Sequence, residues 1–99
     1  MKTVNKIQCL HPQGKQAPAI PADIYSLFEN AIYHSVKNKK GKGISFSSLT
    51  EEIEKCFARQ KTIFNGSVGW YAVHVKNHME ATGIIKAFIE KGVKLHSLA

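Results

Sequence analysis

The chain has 99 residues, 43% of them hydrophobic, and fourteen basic residues against seven acidic ones give a formal charge of +7. A chain of this length buries about two thirds of its unfolded surface around a single core, so one domain over residues 1–99 is expected and a second has no room. The apolar runs are short and broken by charge, and Met1–Lys6 lacks the apolar core of a signal peptide; neither export nor membrane insertion is expected, and a cytoplasmic protein is the default.

Lys6-Ile7-Gln8-Cys9-Leu10 alternates polar and apolar residues, the period of an edge strand with one buried face, until His11-Pro12-Gln13-Gly14-Lys15 breaks it. Residues 1–20 therefore read as an N-terminal strand and extended arm, since Pro18 and Pro21 keep the chain out of helix. Pro21-Ala22-Asp23 marks a helix start, with a proline in the first turn and an acid near the positive dipole end. Ile24, Leu27, Phe28, Ala31, Ile32 and Val36 then recur at three- and four-residue steps, an apolar stripe running to about Lys37.

A turn of glycine and lysine, Asn38 to Gly43, leads to Ile44-Ser45-Phe46, which reads as a very short strand. Ser48-Leu49-Thr50-Glu51 fits a capping box, so the second helix is predicted from Leu49 to about Arg59 with Leu49, Ile53, Cys56 and Phe57 inward. After the Asn65-Gly66 turn, Ser67 is a plausible cap for a third helix over 68–82. Its Val68, Ala72, Val75 and Met79 share one narrow sector that must face the core, while Trp70, His74, Asn77 and Ala81 lie opposite, with Val73 and Glu80 on one shoulder. Gly83 supplies a left-handed stop. Ile84 to Ile89 and Val93 to Leu98 alternate around Glu90-Lys91-Gly92, a two-stranded hairpin. The whole is α+β: a winged helix-turn-helix of three helices, a C-terminal hairpin wing and an N-terminal strand or arm.

The order of elements, with Gly69-Trp70-Tyr71, Glu80-Ala81-Thr82-Gly83-Ile84-Ile85 and His11-Pro12-Gln13-Gly14-Lys15, resembles a small family of uncharacterised bacterial winged-helix proteins. Those proteins carry an early HPxGK segment, a glycine before two aromatics, and a late LEAxGxI segment. The resemblance implies a fold and no activity. This chain departs from it at Met79, where leucine is usual, and at Val73 and Thr82, where a basic residue is common.

Two functions are consistent with these residues. In the first, a nucleic-acid-binding module, His74, Lys76 and Asn77 approach the major groove while Lys86, Lys91 and Lys94 hold phosphates. The charge distribution tempers it: residues 1–43 carry seven lysines and two acids, residues 67–99 only four lysines and two acids, so the positive charge is concentrated outside the helix and hairpin that would read DNA. Non-specific phosphate contact stays open, and Lys37, Lys39, Lys40 and Lys42 either join it or serve solubility. In the second, a protein-interaction or self-association module, Trp70, Val73 and Ala81 form an apolar patch on the outward helix face. Trp70 either tucks under the arm or anchors a partner.

No catalytic, cofactor or metal site is expected. His74 and His78 stand four apart, a spacing that holds a metal only when further ligands converge, and none is evident. Cys9 and Cys56 lack metal-ligand spacing and read as reduced, buried thiols; pairing Cys56 with His34 as nucleophile and base would need an accessible, electropositive niche. His11 to Lys15 lacks the length and following helix of a phosphate loop, and reads as a bend that lets the arm pack across the domain.

Overall fold

A computed structural model describes residues 5–99; residues 1–4 of the predicted arm lie outside the described residues. The elements run β1 (Lys6–Gln8), β2 (Ala19–Pro21), α1 (Ala22–Asn38), α2 (Phe46–Arg59), α3 (Val68–Ala81), β3 (Ile85–Glu90) and β4 (Val93–Leu98). Three helices and two antiparallel hairpins, β1–β2 and β3–β4, make an α+β arrangement whose layout is compatible with a winged helix. Among the described residues no helix is long and apolar enough to cross a membrane.

The three helices meet at Phe28, which is fully buried on α1. Its ring packs edge-on against Phe57 of α2 at 5.3 Å and Phe64 of the α2–α3 loop at 5.1 Å, and stacks on Tyr71 of α3 at 5.6 Å. Ile32 and Val36 extend the predicted stripe one and two turns further. Ser35, also buried, satisfies its hydroxyl by donating to the Ala31 carbonyl at 2.8 Å.

α2 begins three residues earlier than the capping-box pattern predicts. Ser45, not Ser48, is its N-cap, accepting from the Ser48 amide at 3.3 Å. The earlier start lets Phe46 pack against the core ahead of Leu49, Ile53 and Phe57, and it leaves Ile44 just outside the helix. The predicted short strand reduces to that residue: Ile44 and His96 of β4 exchange two backbone hydrogen bonds of 2.9 Å.

α3 follows its sequence signals closely. Ser67 caps it by accepting from the Trp70 amide at 3.1 Å, and Ala72, Val75 and Met79 are fully buried. It ends at Ala81, one residue short of prediction. Gly83 takes φ +82°, the Gly83 amide donates to Glu80 O at 3.2 Å and the Ile84 amide to Met79 O at 2.9 Å, a Schellman stop that glycine permits without strain. In the wing, β3 and β4 pair from Ile85↔Leu98 to Glu90↔Val93. Lys91 and Gly92 both hold positive φ, as a two-residue hairpin turn of the type matching strand twist requires.

One element was not foreseen. Pro18 and Pro21 argue against helix, but the same restricted backbone suits the end of an edge strand, where a missing N–H removes nothing. Residues 19–21 pair with β1 in the register Lys6↔Pro21, Ile7↔Ile20, Gln8↔Ala19. Ile20 is thereby buried, as is Cys9 just beyond β1.

Candidate functional site

The connection between β1 and β2 lies across α3. The Leu10 amide donates to His78 Nδ1 at 2.8 Å, and the His78 ring meets Tyr25 edge-on at 5.4 Å. The predicted bend closes through Gly14 N–H to His11 O at 2.9 Å, and the Gln13 amide donates to His11 Nδ1 at 3.0 Å, with Gly14 at φ +75°. Both imidazoles accept at Nδ1, so in their neutral forms the proton is on Nε2. The arm thus runs alongside the helix face that the sequence reading leaves to a partner and is tied to α3 at His78.

Between arm and helix is an open cleft of about 840 Å³, lined on the helix side by Trp70 and His74 and on the arm side by residues that include His11 and Lys15. Trp70 keeps 45% of its surface exposed although Tyr71 packs against it at 4.9 Å and His74 at 4.5 Å. It stands at the rim of the cleft, half sheltered. Burial, and secondarily the nearby His11, hold His74 below the ordinary imidazole range. A strut fixes the far wall: Gln8 Nε2 donates to the Ala17 carbonyl at 2.8 Å.

A second cleft, about 460 Å³, opens between His11-Pro12-Gln13 and the opposite shoulder of α3, where Val73, Lys76, Asn77 and Glu80 line it with Ala87 and Lys94 of the wing. Val73 is half-buried there, so of the proposed partner-binding trio only Trp70 and Ala81 are exposed. Asn77 and His74 are half-buried as well. Lys76 is only 5% exposed and its Nζ donates to Glu80 Oε1 at 3.0 Å. An ammonium held by a buried carboxylate is not available to a groove, which counts against the expected approach of Lys76 to the major groove. Lys76 follows Val75 by one residue and Ala72 by four, so it stands on the shoulder of the buried sector.

Glu80 also faces His96. The His96 Nδ1 lies 2.9 Å from Ile44 O, which fixes a proton on Nδ1, and Nε2 is 3.4 Å from Glu80 Oε1 without the alignment of a hydrogen bond. Burial lowers the pKa of His96, an effect strengthened by Lys76 and Lys94 and opposed by the Ile44 carbonyl and Glu80. Lys76 is lowered too, chiefly by burial and against the pull of Glu80. The sequence gives one signal for this cluster, the Lys76/Glu80 spacing of four; nothing local points to His96.

The remaining lysines singled out from sequence, Lys86, Lys91 and Lys94, are exposed on the wing, and Lys37, Lys39, Lys40 and Lys42 are exposed at the α1–α2 turn. The turn that carries the second group meets the wing at Gly43. Gly43, at φ +88°, lies so close to the wing that a Cβ there would fall 2.7 Å from Phe88 Cζ and 2.8 Å from Leu95 Cβ. Gly41 and Lys86 line one depression with Phe88, Ser97 and Leu98, and no acidic residue lines it.

Cys9 and Cys56 are free thiols; Cys9 is buried and Cys56 only half-buried. Cys56 and His34 do share a small cleft with Asn30 and Gln60. No three His, Cys, Asp or Glu residues converge as metal ligands among the described residues, and His74 and His78 turn to different neighbours, Trp70 and Tyr25. The model of a family of unknown function, DUF6958, matches residues 6–95. No curated protein and no solved structure matches the chain.

Proposed function

We propose that this chain, which belongs to the DUF6958 family of unknown function, is a winged-helix module that holds the nucleic-acid backbone without reading bases. The observation that carries this reading is the close packing of the lysine-rich α1–α2 turn on the wing at Gly43, where Gly41 and Lys86 line one depression. Lysines on two separate elements then present one positive surface, and such a surface binds phosphates by releasing condensed counterions. Base reading is left out because α3 is crossed by the arm and Lys76 is committed to Glu80.

The test is fluorescence anisotropy with a mixed-sequence duplex labelled on the DNA. Binding at micromolar protein in low salt is expected, indifferent to sequence. The affinity should fall with salt at a slope of about −0.9 per phosphate contacted. Replacing Lys40 and Lys86 together by alanine should lower that slope by about two contacts, whereas Asn77→Ala should leave it unchanged. Absence of binding under these conditions ends the proposal.

A further inference from the structure

A separate site is built where the arm crosses α3. We propose that the cleft between them binds a small planar aromatic anion, its ring against Trp70 and its charge met by Lys15 and His11. Three observations carry this. The volume, about 840 Å³, falls within the range of about 300–1,000 Å³ typical of small-molecule sites. Its rim holds the chain's only tryptophan, 45% exposed beside His74, and an indole left open at a cleft is a stacking surface waiting for a flat partner. The charged and titratable side chains that line the cleft are Lys15, His11, His74 and the buried thiol of Cys9, with no carboxylate among them, so the field inside favours an anion.

The walls are fixed before any ligand arrives. Gln8 Nε2 bonds the Ala17 carbonyl, Cys9 N–H donates to Pro18 O at 3.1 Å, and the His11 bend is closed by its own turn. A preformed wall spares the ordering cost that weakens binding by loose segments. An anion seated here would also favour the charged form of His74, which burial and His11 disfavour.

Because Trp70 is the only tryptophan, its fluorescence, excited at the red edge where adenine does not absorb, reports on this cleft alone. The intact chain is titrated with AMP, with adenosine as the ring alone and inorganic phosphate as the charge alone; benzoate tests a carboxylate in place of the phosphate. A saturable change with AMP is expected, with adenosine and phosphate each at least about tenfold weaker, since each forgoes one of the two contacts. Lys15→Ala should weaken AMP by about tenfold and leave adenosine unaltered. Lys15 is exposed, so the fold is not at stake. Lys86→Ala, on the wing, should change nothing, which keeps this site distinct from the polyanion surface. The proposal is overturned if neither AMP nor benzoate gives saturation up to about 10 mM, if phosphate binds as well as AMP, or if Lys15→Ala binds AMP like the parent.

Discussion

Lys76 donates to Glu80 at 3.0 Å with both side chains more than nine-tenths hidden from solvent. An ion pair so placed gains little over an apolar pair of the same shape, but half of it left alone is costly. Glu80→Ala should therefore cost about 3–5 kcal/mol by stranding the ammonium. The double replacement Lys76→Met with Glu80→Leu should return to within about 1 kcal/mol of the parent. Urea unfolding midpoints of the three proteins decide this, and a double variant no better than the single one would refute it.

His96 gives the pH dependence its sign. Its folded pKa is depressed, chiefly by burial, so the unfolded chain takes up a proton that the folded chain refuses once the pH falls through the ordinary value of 6.5. Stability is thus whole above that value and drains away below it. His74, also depressed, works in the same direction. The urea midpoint should be lower at pH 5.5 than at pH 7.5, and both His96→Gln and His74→Gln should flatten the difference, His96 more because it is fully enclosed. A midpoint that rises on acidification would contradict the assignment.

Gly43 and Gly41 form a matched pair. Both hold positive φ, but a methyl group at Gly41 meets nothing within 4 Å, whereas at Gly43 it strikes Phe88 and Leu95. Gly41→Ala should cost about 1 kcal/mol from backbone strain alone. Gly43→Ala should cost about 2–4 kcal/mol, since strain and overpacking add. Thermal unfolding of the two variants separates these contributions, and equal losses would show that the approach of turn and wing is looser than described.

The N-cap of α2 can be checked by exchange of single hydroxyls. Ser45→Ala should cost about 1 kcal/mol. Ser48→Ala, which keeps the amide that Ser45 accepts from, should stay within about 0.5 kcal/mol. The reverse ranking in chemical denaturation would restore Ser48 as the cap.

The elements that could be read from sequence are those whose signals are local. The α1 stripe, the Ser67 cap, the Gly83 stop and the Lys91-Gly92 turn each need only a few neighbouring residues, and all are found as expected. The start of α2 was ambiguous because Ser45, Ser47, Ser48 and Thr50 all offer hydroxyls within six positions, and packing of Phe46 chooses among them. The site was less legible still. The cleft depends on Leu10 reaching His78, a contact 68 positions apart, and the buried ion pair has His96 of the distant β4 beside it. A helical wheel shows which sector is most apolar. It does not show how wide a neighbouring hairpin will make the covered zone.

The pairing of Ile44 with His96 sets an order on assembly during synthesis. When α1 leaves the ribosome, its Phe28, Ile32 and Val36 face water, for Tyr71 of α3 and the strand that bonds Ile44 are still untranslated. At about 5–20 residues per second, several seconds pass with that stripe bare. A nascent chain stalled between α2 and α3 should therefore be a target for chaperones that bind apolar segments, while one extended past His96 should escape them.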